Sequence, residues 1–322
     1  MTIQTAIIGL GIMGRRMLEH MVLHADYNVV AVWDPDAASC ELARELAPDA
    51  RIGSSAEDAM AGADLVYLAC PPEPRKAYAL KAAAAGTALF LEKPLGVDVE
   101  ESRALVDAVA ASGVPAAVNF TQAAGPALAE VTAAAQSGNM GDLAGADIIL
   151  SYAHWPREWQ KTADWLRFSA EGGMTREVIS HFIFFSERLL GPLNLVWAQT
   201  DYPAQDNLCE THVAARLISA SGKPVSIMGS VGGAQPDRQE LTIKGSKESR
   251  RVTEFYKNAA SDGGEFTQLH EDYADPRALS LKAQLDDLSL MMAGKTHRLA
   301  TLEEALRVQV LVEAILANGT PR

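Results

Sequence analysis

The sequence predicts an α/β protein, with a doubly wound parallel sheet in its N-terminal part and an α+β domain with an open, mainly antiparallel sheet behind it. Three observations lead to this prediction. The chain has 322 residues, short β-rich runs alternate with Ala-rich amphipathic stretches in its first third, and after Gly138 strand-like runs follow one another directly. We therefore predict two domains, residues 1–122 and 123–322, with the last helices able to pack back on the first.

The strands of the N-terminal domain are predicted from short apolar runs separated by helical stretches. These runs are Thr5–Gly9, Asn28–Trp33, Leu65–Ala69, Ala88–Leu91 and Ala116–Phe120. This alternation is typical of βαβ units, whose right-handed crossovers give a parallel sheet. Because ligands of such sheets bind at the carboxyl ends of the strands, we expect a ligand there.

A glycine motif follows the first strand. Gly9, Gly11 and Gly14 fit the pattern GxGxxG, and Ile12 and Met13 lead into the next helix. In this pattern the first glycine permits a tight turn, the second lets the backbone approach a pyrophosphate, and the third allows close helix packing. The helix N-terminus adds free N–H groups and a positive dipole end. The motif predicts a Rossmann domain that binds a dinucleotide.

An acidic residue follows the second strand at the spacing that this motif requires. Asp34 lies about 20 residues past the last glycine, where a carboxylate accepts hydrogen bonds from the adenosine ribose. The same charge repels a 2′-phosphate, and residues 35–39 include no Arg or Lys to bind one. We therefore predict NAD as the cofactor in preference to NADP.

The C-terminal domain is predicted from strands joined by turns. These strands are Ala146–Tyr152, Val196–Asp201, His212–Ser219, Pro224–Ser230 and Gln239–Lys244. Ser221 to Lys223 is typical of a hairpin loop, and helices are predicted over Thr175–Leu190 and, as a pair, from Asp275 to the end. An open sheet of this kind needs a cover on its second face.

Composition excludes several classes of function. The net charge of −13 opposes binding to nucleic acid or to an anionic membrane surface. No apolar run is long enough for a membrane span, and no signal peptide precedes the first strand, so we expect a cytoplasmic protein. Cys40, Cys70 and Cys209 are too few and scattered for a disulfide framework, and no HExxH or CxxC spacing predicts a metal.

Two further motifs complete a family resemblance. Cys70-Pro71-Pro72 follows the strand Leu65–Ala69, and Glu92-Lys93-Pro94 follows Ala88–Leu91. With the glycine motif and Asp34, this order resembles the Gfo/Idh/MocA dehydrogenases over nearly the whole chain. The resemblance implies that these turns lie beside the cofactor and that Lys93 is the active-site lysine, which binds a substrate oxygen. It also implies that another subunit covers the open sheet, so we expect a homodimer or homotetramer. Glu92 is interpreted as a structural partner, and a cis peptide at Pro94 stays open.

His181 is the candidate general acid or base, since its ordinary pKa lies near the operating pH. In the apolar stretch Val178–Phe185 a buried structural histidine is the interpretation that the residues alone favour. The resemblance reverses this, because Gly172-Gly173, Glu177 and His181 stand at the family's glycine, acid and histidine positions. Glu177 replaces the usual aspartate, so a purely structural salt bridge is the alternative to a catalytic role.

Substrate recognition is less clearly encoded. Phe184 and Arg75 replace polar residues that are usual in the family, and the stretch around Asn119 lacks an arginine that is frequent in sugar-active members, which weakens a polyol assignment. Asn119 remains a candidate substrate residue.

A loop rich in tryptophan is a second candidate substrate region. Trp155 and Trp165 can wall a pocket there, and Arg157 or Arg167 can bind a carboxylate. Alternatively, the tryptophans cover the domain junction.

These features together predict an NAD-dependent dehydrogenase. Hydride passes between NAD(H) and a CH–OH or C=O carbon of a small, cyclic, sugar- or polyol-like molecule. Two alternatives stay open: a less polar substrate, such as a cyclic imine or an aryl dihydrodiol, and a non-catalytic NAD-binding regulatory protein.

Overall fold

The computed structural model describes residues 2–205, 207–271 and 274–317, which form two compact units. The first unit runs up to Ala123 and includes Leu281–Leu306. The second covers Ala124–Ser280 and continues from Arg307. In the part of the chain that the structure describes, every helix is too short or too polar to cross a membrane.

The first unit is built on a six-stranded parallel sheet. In chain order its strands are β1 Ile3–Ile8, β2 Tyr27–Trp33, β3 Arg51–Ile52, β4 Leu65–Leu68, β5 Ala88–Glu92 and β6 Ala116–Asn119. They lie in the order β3-β2-β1-β4-β5-β6. The order reverses at β1, so a crevice opens at the carboxyl ends of β1 and β4. The predicted doubly wound sheet is confirmed; only β3, which has two residues, was not predicted.

Helices separate these strands in the sequence. They are α1 Ile12–Leu23, α2 Ala37–Leu46, α3 Ala56–Met60, α4 Pro72–Ala84 and α5 Val99–Ser112. Short polar residues begin several of them: the Asp98 side chain accepts a hydrogen bond from Glu101 N at 2.8 Å at the start of α5. β4 and β5 are buried at every position, which is typical of a parallel sheet with both faces covered.

The second unit is built on an eight-stranded sheet. Its strands are β7 Leu143–Tyr152, β8 Leu193–Asp201, β9 His212–Ser219, β10 Pro224–Val231, β11 Arg238–Gly245, β12 Ser249–Thr253, β13 Lys257–Ser261 and β14 Thr267–Gln268. Their order is β14-β13-β12-β11-β7-β10-β9-β8. β7 and β10 are parallel and the other neighbours antiparallel, so the prediction of a mainly antiparallel sheet is confirmed.

The two faces of this sheet differ. Along β9 buried residues alternate with more exposed ones, and a helical segment covers the buried face, where Met174 and Ile179 contact Gly229 of β10. That segment is a π-helical turn, Thr175–Ile179, that continues into α7 Ser180–Leu190. The opposite face exposes large apolar side chains, among them Trp197 and Met228.

Helix α6 Pro126–Gln136 precedes β7, and α8 Pro276–Met292 and α9 Leu302–Ala317 close the described chain. The last five residues of the predicted helical pair lie outside the described residues. Leu281, Leu285 and Leu288 of α8 belong to the core of the first unit, and the Tyr27 hydroxyl donates to the Leu285 carbonyl at 2.6 Å.

Candidate active site

The loop between β1 and α1 holds the three glycines of the predicted motif. Gly9 has a φ of +94°, and a Cβ there would lie 2.5 Å from Cys70 N. A Cβ on Gly14 would lie 1.9 Å from the carbonyl oxygen of Gly9. The close approach of backbone segments therefore requires glycine at both positions.

Gly11 is different, because the fold of the described residues gives no reason for a glycine there. Its φ of −64° suits any residue, and a Cβ would meet nothing within 4 Å. α1 begins directly afterwards at Ile12 and Met13, with no side-chain cap and no acidic residue in its first turn. Its uncapped N–H groups and the open space at Gly11 fit a pyrophosphate lying against the backbone.

Asp34 braces this loop from the end of β2. Its Oδ2 accepts a hydrogen bond from Leu10 N at 2.6 Å, and its Oδ1 accepts one from Asp36 N at 2.8 Å. Each carboxylate oxygen keeps further acceptor capacity, which a ribose hydroxyl can use. Asp34 thus fits the adenosine ribose of NAD while it also holds the glycine loop.

The predicted Cys70-Pro71-Pro72 segment joins β4 to α4. The Cys70 backbone lies against Gly9, Pro71 precedes the helix, and Pro72 is the first residue of α4. Burial raises the pKa of the Cys70 thiol. The segment therefore lies where β1 and β4 end, beside the glycine loop.

Arg75 of α4 has a role that sequence reasoning missed. It is buried, and its Nη1 donates to the carbonyl oxygens of Glu92, at 2.8 Å, and of Pro94, while Nη2 donates to the carbonyl oxygen of Cys70. Arg75 thus fixes both turns to each other. The Lys93–Pro94 peptide bond is cis. The only signal in the sequence is an arginine where the family commonly has a histidine.

Glu92 is the centre of a buried network in the first unit. Its Oε1 accepts hydrogen bonds from the Tyr67 hydroxyl and from Asn119 Nδ2, the latter at 2.6 Å. Asn119 Oδ1 in turn accepts from Gln284 Nε2 at 2.6 Å. Burial raises the pKa of Glu92, although the positive charges of Lys93 and Arg75 oppose this. Both polar atoms of the Asn119 side-chain amide, Nδ2 and Oδ1, therefore have protein partners.

In the second unit, Gly172 and Gly173 allow the chain to turn tightly before the segment of His181. A Cβ on Gly172 would lie 2.3 Å from Leu166 O, and one on Gly173, whose φ is +102°, would lie 2.3 Å from Glu210 Oε2. Glu210 Oε1 accepts a hydrogen bond from Thr175 N at 2.7 Å, and burial raises the pKa of this carboxyl. Glu210 was not predicted, because it is distant in sequence.

His181 lies in the first turn of α7 and is buried. Its ring meets the Phe255 ring edge to face, with 5.5 Å between centroids, and Phe255 stacks on Phe182 at 5.0 Å. Phe255 lies in a turn in which Glu254 and Phe255 have φ values of 51° and 69°, a region rarely adopted by such residues. Phe184 is also buried. An aromatic ring therefore packs against one side of the His181 imidazole.

Glu177 contacts the tryptophan loop. Its Oε1 accepts a hydrogen bond from Gln160 Nε2 at 3.1 Å, and Gln160 Oε1 accepts from Arg157 Nε at 2.9 Å. The adjacent Arg176 has a different partner: its Nε and Nη2 each donate to Glu313 at 2.7 Å. Arg176 and Glu177, although adjacent in sequence, therefore bind different partners.

The two candidate tryptophans lie in different surroundings. The Trp155 Nε1 donates to Leu166 O at 2.9 Å, and its ring lies 5.4 Å from that of Tyr152. Trp165 is half-buried in a short 3₁₀ turn, Asp164–Arg167.

The candidate residues thus form two groups. Lys93 belongs to the first unit with the glycine loop, and Glu177 and His181 belong to the second with the tryptophans. Among residues 2–205, 207–271 and 274–317, no three His, Cys, Asp or Glu side chains are grouped so that they could hold a metal ion.

Comparisons with known proteins agree with this architecture. Residues 3–120 match the GFO_IDH_MocA family model, described as an oxidoreductase family with an NAD-binding Rossmann fold. An inositol 2-dehydrogenase of Rhizobium meliloti is 26% identical over 253 residues, which cover 77% of this chain and 74% of that protein. A scyllo-inositol 2-dehydrogenase (NAD(+)) of Bacillus subtilis is 31% identical over 146 residues, 43% of this chain and 42% of that protein.

The fold of the chain is also similar to that of solved structures. An oxidoreductase from Agrobacterium radiobacter in complex with NAD+, L-tartaric acid and magnesium superposes with a TM-score of 0.84, at 16% identity, over 99% of this chain and 96% of that chain. At this identity the likeness concerns the fold of the whole chain alone.

Proposed function

We propose that this chain, which matches the Gfo/Idh/MocA oxidoreductase family model over residues 3–120, transfers hydride between NAD(H) and a CH–OH or C=O carbon of a small, cyclic, sugar- or polyol-like molecule. The relatives named inositol 2-dehydrogenase support this class of substrate. The cofactor is NAD, as the family model describes and as Asp34 favours over NADP.

One observation carries the proposal: the glycine at position 11. Neither backbone conformation nor crowding explains it, and the uncapped end of α1 begins beside it. A bound pyrophosphate explains both features. When bound, NAD supplies the carbon that accepts or returns the hydride.

We propose that Lys93 binds the reacting oxygen of the substrate through its ammonium group. The turn that carries it is held by Arg75, which donates to the carbonyl oxygens on both sides of Lys93. A fixed turn restricts the position of the ammonium group, which lowers the entropy lost when the substrate binds.

We propose that His181 removes the hydroxyl proton when the substrate is oxidised and returns it on reduction. Neutral imidazole has the basicity for this step near neutral pH. Glu177 lies one helical turn before His181, and we propose that it orients substrate-binding groups through Gln160.

A homodimer or homotetramer is proposed from the exposed face of the second sheet. Trp197 and Met228 are 50% and 57% exposed, and their pairing with β9 places them on one face. Apolar groups on such a face favour burial against another copy. The proposed partners are a small-molecule substrate and this second copy. The net charge of −13 argues against nucleic acid and anionic membranes as partners. The free thiols of Cys40, Cys70 and Cys209 fit a cytoplasmic location.

The test is NADH formation by the purified protein with NAD and a panel of inositols, sugars and aryl dihydrodiols. Oxidation of a cyclic polyol or sugar is expected. Lys93→Ala and His181→Ala should each lower kcat by a factor of about 100 or more, while NAD binding stays near the wild-type value. His212→Ala, which removes an exposed histidine of β9, is the matched control.

Two outcomes would replace this function. Turnover of the aryl dihydrodiols alone would assign a less polar substrate, in agreement with the phenylalanines around His181. Tight NAD binding without turnover of any compound would instead favour a regulatory protein.

A further inference from the structure

A buried arginine in the second unit is surrounded by aromatic rings. Arg157 is 9% exposed, and its guanidinium carbon lies 4.7 Å from the ring centroid of Trp159, 5.4 Å from that of Tyr152 and 5.8 Å from that of Trp155. Together with Gln160, these residues are called the Arg157 cluster below. Arginine on aromatic faces gains cation–π attraction, which offsets part of the cost of burying its charge.

Only one of the guanidinium nitrogens of Arg157 donates a hydrogen bond to a described protein group. Arg157 Nε donates to Gln160 Oε1 at 2.9 Å. In the described ranges, neither terminal nitrogen of Arg157 donates to a protein acceptor and no carboxylate forms an ion pair with it. An anion that binds these two nitrogens would therefore form charge-assisted hydrogen bonds that no described protein group supplies.

The Tyr152 hydroxyl is a second hydrogen-bond donor of the cluster. The Tyr152 hydroxyl is fully buried, and within the described part of the chain it has no hydrogen-bond partner. Burial raises the pKa of Tyr152, so the hydroxyl keeps its proton and can donate it. Buried polar groups in native proteins nearly always have partners, so a missing one indicates a ligand or ordered water.

Glu177 sets the orientation of the cluster. The Glu177 carboxylate can only accept hydrogen bonds, so the NH₂ group of Gln160 faces it as the donor. The Gln160 side-chain oxygen is then directed towards Arg157. The same π-helical turn continues into α7, where His181 lies. The cluster is therefore tied to the segment that carries the proposed base.

The other arginine of this loop, Arg167, also lies beside an aromatic ring, with its guanidinium carbon 5.0 Å from the Phe168 centroid, but it is exposed and has an anionic partner. The Arg167 side chain is 49% exposed, and it forms an ion pair with Asp164 at 3.5 Å. Arg277, by contrast, lies with its guanidinium carbon 5.0 Å from the Trp159 centroid and adds positive charge beside the cluster.

We infer that the Arg157 cluster binds the carboxylate of the substrate, so that the preferred substrate is a sugar acid or a related hydroxy acid rather than a neutral polyol. This inference rests on the proposed function and narrows its substrate class. The planar fork of a guanidinium matches the two oxygens of a carboxylate, and the Tyr152 hydroxyl supplies a further donor. Arg157 and Tyr152 then determine specificity, and Glu177 is a positioning residue.

The experiment compares compounds that differ in one acidic group: glucuronate with glucose, galacturonate with galactose, and gluconate with glucitol. Binding to the NAD-loaded protein is measured by calorimetry, and kcat/KM by NADH formation. We expect at least one acid to be preferred to its neutral counterpart by a factor of about 100. Arg157→Met should lower that ratio to near 1, Arg157→Lys should lower it partly, and Tyr152→Phe should lower it about tenfold.

Arg167→Met is the matched control, since it removes the same charge from the same loop and should leave the ratio unchanged. Thermal melting identifies any variant that fails to fold, and Tyr152→Phe, which removes one oxygen, keeps the test valid if Arg157→Met is unstable. The inference is overturned if the wild type binds none of the three acids, or binds each acid no more tightly than its neutral counterpart. It is also overturned if the preference for an acid persists in Arg157→Met.

The two proposals fail in different ways. If acids bind through Arg157 but nothing is oxidised, the proposed dehydrogenase activity is wrong and the carboxylate site stands. If neutral polyols are oxidised as well as acids and Arg157→Met changes neither, the activity stands and the carboxylate site is wrong.

Discussion

Replacement of Gly11 by alanine separates a glycine required by a ligand from one required by the fold. Among residues 2–205, 207–271 and 274–317, no atom lies within 4 Å of a Cβ placed at Gly11, whereas a Cβ at Gly14 would lie 1.9 Å from Gly9 O. Gly11→Ala should therefore change the free energy of unfolding by less than about 0.5 kcal/mol, because reduced freedom of the unfolded chain and a poorer N-cap nearly cancel. Gly14→Ala should cost about 1–3 kcal/mol or more, because backbone must move.

Gly11→Ala should strongly weaken the binding of NAD. A methyl group at this position displaces the pyrophosphate from the backbone N–H groups of α1, and the loss of one charge-assisted hydrogen bond costs about 1.5–3 kcal/mol. This corresponds to an increase in the Kd for NAD of about 10- to 150-fold. Calorimetric titration with NAD gives the Kd, and thermal melting without NAD gives the stability.

Two results would refute this reasoning about Gly11. One is a Kd for NAD that does not change in Gly11→Ala. The other is a loss of stability without NAD as large as that of Gly14→Ala, since the glycine would then serve the fold.

Three further predictions concern residues that hold the candidate site. Arg75→Met should lower the free energy of unfolding by about 3–5 kcal/mol, because buried carbonyl oxygens lose their donors; a loss below about 1 kcal/mol in urea unfolding would contradict this. Phe255→Gly should lower the free energy of unfolding by only about 1 kcal/mol, since relief of its left-handed φ offsets part of the lost ring packing. It should also lower kcat roughly tenfold, because the His181 ring loses the ring that packs against it. An unchanged kcat in the folded variant would argue against this role of Phe255. Glu210→Gln tests the buried carboxyl that accepts from Thr175 N. Because burial raises the pKa of Glu210 above its ordinary value of 4.5, the stability of the wild type relative to the variant should fall as pH rises from below 4.5 through the raised pKa, by up to about 1.4 kcal/mol per pH unit; a difference that rises with pH would have the wrong sign.

Local sequence patterns were enough to predict the parallel sheet and most of the second sheet. The predicted strand Asn28–Trp33 differs from β2 by one residue, and His212–Ser219 coincides with β9. β12, β13 and β14 were missed because they are short and mostly polar, and they form only when their backbone groups pair with β11 or with one another. Pairing between strands is not encoded in the residues of one strand alone.

The residues of the candidate site also fall into those that the sequence predicts and those that it does not. Gly9, Gly11, Gly14 and Asp34 were predicted because a dinucleotide requires them at set intervals along one βαβ unit. Arg75, by contrast, acts on carbonyl oxygens of distant turns, which any residue would supply.

The sequence by itself determined the class of fold, the dinucleotide loop and the order of the motifs, because each depends on residues close together in the chain. Only the tertiary structure decided what the polar side chains do. It placed Asn119 in a buried network with Glu92, gave Arg176 and Glu177 the partners Glu313 and Gln160, and distinguished Arg157 from Arg167. Burial and hydrogen-bond partners depend on segments distant in sequence, so the role of a charged side chain is decided only when the chain has folded.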